Sequence, residues 1–441
     1  MCNNRSAFFA LFAGIMVLLC VTACSQTSSS QPDSVSSANA EETSPSIPQG
    51  KGQIHQIGSE GGAEQQTSSE NGYYELVPVF PDSYNILYTD YATNRQLYFC
   101  SSPGCDHAGE SCTSYVDTSK GNVPGLLFSD DKLYLVSPAT VSDDFLPRVE
   151  VMNADGSNRR LLAEFKASQN LNTGWFLADA DSFYFVMENV ASDGSYSKSL
   201  CSLNKQDGSL KTIKDLDYDQ WLLDGNGSHI YLKTIEEGQP PERDLFDTEE
   251  AFQDAVEDMN LHKISVLDVN APGQEVEVDT WKQSERSGGM LDGKMYYYDF
   301  SGDSFVMKDY DAGETVAVPN STGLTFHTIY PRFVLDGKLI FVASTDGAGK
   351  EHHVSSFYVD FAENRVSEIG VMDRNRNRPV SICAVYNDQL YAVYDTLEKN
   401  ISFDQNGQIQ MTTISLGLLG HTPVQDFLEG NCSFTPCETV E

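Results

Sequence analysis

Cys100, Cys105, His107 and Cys112 fall within thirteen residues, spaced by Pro103, Gly104 and Gly109. Turn-forming residues fold so short a segment back on itself, and three thiols with one imidazole can then converge on a point. Zinc accepts such a set tetrahedrally, at about 2.3 Å to sulfur and roughly 2.0–2.1 Å to nitrogen, and closed four-ligand sites are structural. Oxidation offers a second linkage, since disulfides form in oxidising compartments. From residue 73 onward there are seven cysteines: these three, Cys201, Cys383, Cys432 and Cys437. An odd number cannot all pair within one chain. Cys432 or Cys437, near the C-terminus, reaches the cluster if the two chain ends meet. Cys201 and Cys383 alternate with apolar residues in strand-like runs and read as buried packing thiols.

Other chemistry is sparser. No Gly-x-Ser-x-Gly elbow, His-Glu-x-x-His pair, phosphate-binding loop or dinucleotide fingerprint occurs, so no catalytic residue is named. His352-His353 reads as an exposed hairpin tip, and His229 and His327 as core histidines beside apolar strands. Trp175 and Trp221 stand just before apolar runs, where an aromatic face can stack on a sugar ring or fill a wedge between packed sheets. Net charge is −36, from 64 acidic and 28 basic side chains. No basic stripe exists to neutralise phosphates, which excludes nucleic acid as a partner. Neutral or basic partners and divalent cations remain.

Positioning these residues falls to a repeat. A turn residue followed by two or three apolar residues recurs at Asp131-Lys132-Leu133-Tyr134, Asp181-Ser182-Phe183-Tyr184 and Ser228-His229-Ile230-Tyr231. It returns at Gly293-Lys294-Met295-Tyr296, Gly337-Lys338-Leu339-Ile340 and Asp388-Gln389-Leu390-Tyr391, with a looser copy at Tyr84-Asn85-Ile86-Leu87-Tyr88. Asp-Gly and Asn-Gly pairs that favour tight hairpins punctuate the runs, among them Asp155-Gly156, Asp224-Gly225, Asp292-Gly293, Asp336-Gly337 and Asn406-Gly407. A near-constant period of short strands predicts an all-β chain: a seven-bladed β-propeller of four-stranded antiparallel blades. One step is longer by a helical insertion at about 238–262. Asp247 is the expected N-cap, with Glu250 completing a capping box and Phe252, Ala255, Val256 and Met259 on one face.

The start of the chain reads as an address. Ala7 to Val21 is an apolar run too short to span a bilayer comfortably, and Val21-Thr22-Ala23-Cys24 follows it. This predicts a lipoprotein signal peptide over 1–23, with Cys24 the lipidated residue. Residues 24–72, rich in Ser, Gln, Glu and Thr, are expected to form a disordered tether, and 73–441 the propeller.

The run Leu97-Tyr98-Phe99-Cys100 to Cys112, downstream of the lipobox and tether, resembles a widespread group of uncharacterised β-propeller lipoproteins of anaerobic Gram-positive bacteria. The blade phrases are similar to those of Tol-type and WD-repeat-like propellers. The resemblance implies fold and location, on the outer face of the membrane through a diacylglyceryl anchor, and carries no activity. The expected role is a binding or scaffolding module for a protein, peptide or glycan. The alternative is a surface polysaccharide-active enzyme with a site assembled from several blades. A structural zinc at Cys100, Cys105, His107 and Cys112 is the one cofactor the residues suggest.

Overall fold

The computed structural model describes residues 53–58, 62–79, 82–139, 145–346, 352–374, 378–405 and 408–440. Cys24, the signal segment and the turn at Asn406-Gly407 lie outside the described residues. Among the described residues no helix is long and apolar enough to cross a membrane.

Seven antiparallel sheets follow one another along the chain, each running in order from its first strand to its fourth. We letter the strands of every blade a to d in that order. The first strands of neighbouring blades meet one another, so strand a lies innermost and strand d at the rim. A four-stranded sheet has two faces to cover, and each face here packs on the next blade. Separate buried clusters fill the wedges: Tyr134, Phe176 and Phe185 between blades 2 and 3, and Phe305, Phe326, Phe341 and Phe357 between blades 5 and 6.

The repeated phrase opens strand b in blades 2 to 7, and Tyr134, Tyr184, Tyr231, Tyr296, Ile340 and Tyr391 are all buried there. The seventh, looser copy occupies a different strand from the other six. Tyr84 to Tyr88 belongs to strand c of blade 1 (Ser83–Asp90), whereas strand b is Gly72–Val79, entered through Asn71-Gly72-Tyr73-Tyr74. The turn before strand b is Asp292-Gly293 in blade 5 and Asp336-Gly337 in blade 6, with positive φ at both residues of each, as type I′ hairpins require. Asp224-Gly225 is not a turn. It lies within strand a of blade 4 (Gln220–Asn226), where Asp224 is fully buried.

The ring also begins before residue 73, correcting the expected tether boundary. Gln66–Ser68 is strand a of blade 1. Further upstream, His55–Ile57 pairs antiparallel with the inner edge of strand a of blade 3 (Gln169–Ala178), and Ile54 bridges to Gly227 of blade 4. Ala63 N–H then donates to Thr173 O, and Leu126 N–H of blade 2 donates to Glu64 O. Residues 54–58 and 62–65 therefore run as a strap along the inside of blades 4, 3 and 2, and 66–68 enter blade 1. Ile54 and Ile57, two of the few large aliphatics in the polar stretch, are both buried. Glycine makes the close approach possible: a Cβ on Gly125 would sit 1.9 Å from Ala63 O, and one on Gly225 2.5 Å from Ile54 Cγ2.

The two ends of the ring differ. Strand b of blade 4 (His229–Glu236) starts beside the strap at Gly227 and runs to the other end, where the helical insertion begins. That insertion carries α1 (Glu249–Glu257), and its cap is Thr248 rather than Asp247, since Ala251 N–H donates to Thr248 Oγ1 at 3.1 Å. The b–c hairpin of blade 7 also lies at this end, and its ladder continues to the pair Gln405 and Gln408. We call this the insertion end.

Two seams between blades matter below. At the seam of blades 4 and 5, the Arg286 guanidinium lies between Trp281 and Tyr297, 4.1 Å and 4.5 Å from their ring centroids. Asp279 takes Arg286 Nη2 at 2.7 Å, Lys308 Nζ at 3.2 Å and the Tyr310 hydroxyl at 2.6 Å. At the seam of blades 7 and 1, where the chain ends meet, Tyr391 Oη donates to Asn94 Oδ1 at 2.6 Å and its ring packs 4.2 Å from that of Tyr91. The C-terminal tail then stitches across: Cys437 N–H donates to Leu419 O in blade 7, while Glu438 N–H donates to Asn94 O and Glu438 O accepts from Gln96 N–H in blade 1.

Candidate metal centre

Strand d of blade 1 is split. Arg95–Tyr98 pairs with Leu87 to Asp90 of strand c, and Tyr115–Asp117 with Ser83 to Asn85. Only Ile86 separates the two registers: its carbonyl accepts from Phe99 N–H and its N–H donates to Ser114 O, both at 2.9 Å. Residues 100–113 thus leave one strand and re-enter it at the neighbouring position, carrying all four donors of the cysteine cluster in the loop. The loop turns tightly, with Cys105 N–H donating to Ser102 O and Cys112 N–H to Gly109 O. His107 holds a φ of 54°, a left-handed conformation uncommon outside glycine.

The donor atoms of Cys100, Cys105, His107 and Cys112 lie within 4.8 Å of one another, with His107 Nδ1 3.3 Å from Cys112 Sγ. Zinc–ligand bond lengths place neighbouring donors of a tetrahedral site roughly 3.4–3.8 Å apart. The set fits such an ion in number, type and spacing. Cys112 is buried and the other three are partly exposed.

A second layer orients these ligands. The His107 ring stacks on Tyr98 at 4.1 Å with 12° between planes, and Asn85 Nδ2 donates to the His107 carbonyl. Ser114 Oγ lies 3.0 Å from Cys112 Sγ and donates to Asn85 Oδ1, and both Asn85 and Ser114 are buried. Outer partners of this kind fix ligand geometry in metal sites. Blade 2 braces the loop from outside. Arg159 Nη1 donates to the carbonyls of Thr113 and Tyr115, and its Nη2 pairs with Glu150 at 2.8 Å.

The thiols are unequal. Burial raises Cys100, but hydrogen bonds from Ser102, Thr113 and Cys112 outweigh it and bring its pKa down to about 6. At Cys105 the backbone hydrogen bond at His107 lowers the pKa, yet desolvation and the neighbouring thiols of Cys112 and Cys100 carry it up to about 11. The sulfurs compete to hold negative charge in one small volume, a conflict that a bound cation removes.

All seven described cysteines are free thiols. Neither Cys432 nor Cys437 reaches the cluster, which corrects the alternative pairing. The C-terminal tail meets blade 1 at Asn94 to Gln96, before the break in strand d, whereas the cluster lies beyond it. Cys437 is buried instead with Tyr73, Tyr91 and Tyr391 in the closing seam, and Cys432 packs with the core of blades 6 and 7. Cys201 is buried as expected, and Cys383 partly so.

The other singled-out residues separate. Trp175 packs on the apolar wedge between blades 3 and 4. Trp221 stays 37% exposed at the start of strand a of blade 4, with Lys198 Nζ 4.8 Å from its ring centroid. His229 and His327 are not core residues: they are half-exposed and each pairs with a carboxylate at 2.8 Å, Asp311 and Asp346 respectively. His353 is exposed at the start of strand c of blade 6, 3.2 Å from Glu368.

No protein-family profile and no curated protein sequence matches the chain. Among solved structures, the chain is similar to the β-propeller domain of the Trilobed protease from Pyrococcus furiosus, at 9% identity and a TM-score of 0.43, over 86% of this chain and 97% of that one. It is also similar to an oligogalacturonate lyase in complex with manganese, at 10% identity and a TM-score of 0.38, over 82% and 90% of the two chains. Hsv2 from Kluyveromyces lactis matches at 8% identity and a TM-score of 0.40, over 81% and 98%. At such identities and scores the likeness says nothing of activity. The seven-bladed ring rests on its own strand pairing.

Proposed function

We propose that this protein is an extracytoplasmic binding or scaffolding module, held at the outer face of the membrane by a diacylglyceryl group on Cys24. The observation that carries the binding reading is the asymmetry of the ring. One end takes in the strap, while the other gathers the α1 insertion and the extended hairpin of blade 7 on a rigid frame. Insertions concentrated on one face of a repeat protein are where such proteins meet partners. The net charge of −36 favours a neutral or basic protein, peptide or glycan.

Within this reading Cys100, Cys105, His107 and Cys112 hold a structural zinc ion. When bound, zinc supplies charge neutralisation and a cross-link. The protein's own residues do the rest: Asn85 and Ser114 orient the ligands, and Tyr98 fixes the imidazole plane. Held by these four residues, an ion would close the excursion in strand d and keep the two halves of that strand in register.

The experiment is mass spectrometry of the full chain recovered from membranes, with elemental analysis of the same material. A diacylglyceryl-modified Cys24 at the mature N-terminus and one zinc per chain are expected. Cobalt substituted for zinc should show thiolate charge-transfer bands that weaken in Cys112→Ser. An unmodified Cys24 overturns the anchor, and the absence of metal from a chain purified without chelator overturns the zinc site.

A further inference from the structure

Large side chains left in water are informative when they gather. Tyr218 is 81% exposed, Tyr196 44% and Trp221 37%, and all three stand together where blades 3 and 4 meet. The Tyr196 and Tyr218 rings are 5.8 Å apart at 74°, an edge-to-face pair. Lys198 sits beneath them, almost fully buried, with Nζ 4.8 Å from the Trp221 ring centroid, 5.9 Å from that of Tyr218 and donating to Tyr218 O at 2.7 Å. The cation holds two aromatic planes and the turn between them in a fixed arrangement, so these exposed rings are braced rather than loose.

Polar groups border the rings. Asn170 and Asn172 each donate through Nδ2 to Glu188, at 3.1 Å and 3.0 Å, and their Oδ1 atoms accept from backbone amides of Ala139 and Gly174. The patch lies at the insertion end: Tyr196 opens strand c, Tyr218 follows strand d, and Trp221 opens strand a of the next blade. Further round the same end, between blades 5 and 6, is a cavity of about 570 Å³ whose walls include Tyr298, Phe300 and Phe326 with Asp303 and Asn320. Here too aromatic faces stand beside a carboxylate and an amide, and Asp303 accepts from both Tyr298 Oη and Asn320 Nδ2 through the same oxygen, Oδ1.

We infer that the Tyr196–Tyr218–Trp221 platform binds a neutral polysaccharide, and this deepens the binding-module reading on which it rests. A pyranose ring offers an apolar face of C–H groups and an equatorial rim of hydroxyls. The C–H face suits the negative face of an aromatic ring, and the hydroxyls suit fixed carboxylate and amide groups. Braced aromatics bordered by Glu188, Asn170 and Asn172 supply both halves of that recognition. The net charge selects against anionic polymers, and the Lys198 cation beneath the rings disfavours a cationic one, which leaves neutral ones. A polymer laid on the platform can extend along the insertion end toward the second aromatic cavity.

The test uses the full chain and cellohexaose, xylohexaose and mannohexaose, with oligogalacturonate as the anionic comparison. Binding is read by tryptophan fluorescence and by calorimetry. At least one neutral hexasaccharide should bind, oligogalacturonate should not, and Tyr218→Ala and Trp221→Ala should each weaken binding at least tenfold with unchanged melting curves. Calorimetry carries the readout for Trp221→Ala, which removes the one tryptophan of the platform and leaves Trp175 and Trp281 as the remaining fluorophores. No binding of any neutral sugar, or equal binding by wild type and both variants, overturns the platform. Binding of a peptide or protein ligand that ignores both substitutions overturns the platform while the module reading stands. Release of shorter sugars from a bound polymer supports the platform and overturns the binding-only role.

Discussion

The seam between blades 4 and 5 and the seam between blades 7 and 1 solve one packing problem by different means. Blades 4 and 5 are consecutive in the chain, and side chains suffice: Arg286 between two aromatic rings, with Asp279 gathering its charge and that of Lys308. Blades 7 and 1 have no covalent link, so their chain ends can drift apart. Here backbone hydrogen bonds of the C-terminal tail cross from Leu419 to Asn94 and Gln96, while the tilted rings of Tyr391 and Tyr91 pack beneath. Among the described residues the tail makes one ion pair, Arg95 with Glu438, which is well exposed and contributes little. Where connectivity already holds two blades together, a side-chain cluster completes the seam. Where it does not, a strand-like clasp is needed.

That contrast can be broken from the closing side. Ending the chain after Phe434 removes, besides the pairing of Thr435–Pro436 with strand c of blade 7, four further tail hydrogen bonds and the burial of Cys437. At about 1 kcal/mol for each of these four bonds, and a similar amount for the thiol, this should lower stability by at least about 5 kcal/mol. Denaturant unfolding checks it, and hydrogen exchange should rise first in blades 1 and 7. If blades 4 and 5 lose protection equally, closure is not local to the clasp.

On the other seam, Arg286→Ala leaves Asp279 partly buried with Lys308 and Tyr310 as partners and opens the space between Trp281 and Tyr297. A loss of about 3–5 kcal/mol is expected. Arg286→Lys should recover little of it, because an ammonium cannot lie flat between two rings as a guanidinium does. Full recovery by lysine in thermal unfolding would show that charge alone, not the planar fit, holds the seam.

The smallest effect sharpens the comparison through pH. Burial, with Lys233 and Arg286 nearby, pushes His262 in the 4–5 seam down to about 4. Between about pH 6.5 and 4 the unfolded chain binds this proton and the folded chain does not, so stability falls as pH drops through that window and levels off below it. Burial raises Glu75, in blade 1, to about 7, against the lowering effect of its hydrogen bond from Gln96. There the folded chain holds the extra proton between about pH 4.5 and 7, so acid stabilises. The two windows overlap with opposite slopes, so His262→Gln should make the protein gain stability as pH falls from about 6.5 to 4.5, and Glu75→Gln should make it lose stability over the same range. A profile that neither substitution changes would place the titrating groups elsewhere.

The fold was legible because each blade repeats the same local instruction, a tight turn and then a buried aromatic. Where turn chemistry and burial conflict, reading failed. Asp224-Gly225 has the letters of a hairpin, yet the glycine serves the close approach of Ile54 and the aspartate caps Gly293 N–H of blade 5. The strap was hidden because two isoleucines in a polar stretch carry no period. Their burial depends on edges supplied by three distant blades. The metal cluster was visible as a composition, but not its place inside a split strand, since pairing on either side of Ile86 is a tertiary fact. Trp221 could be singled out from its position. Tyr218 could not, although a lone aromatic between Asp217 and Asp219 in a polar turn was a signal available in the sequence.

The strap also decides how the molecule bears mechanical load. A pull arriving through the N-terminal chain first meets Ile54 at Gly227 and the short ladder between His55–Ile57 and strand a of blade 3. Tension enters at the axis rather than at the rim, and is shared among blades 4, 3 and 2 before it can act on blade 1. The tail clasp lies on the far side of that path. The ring is loaded at its hub, and its one non-covalent joint is the last part to feel the force.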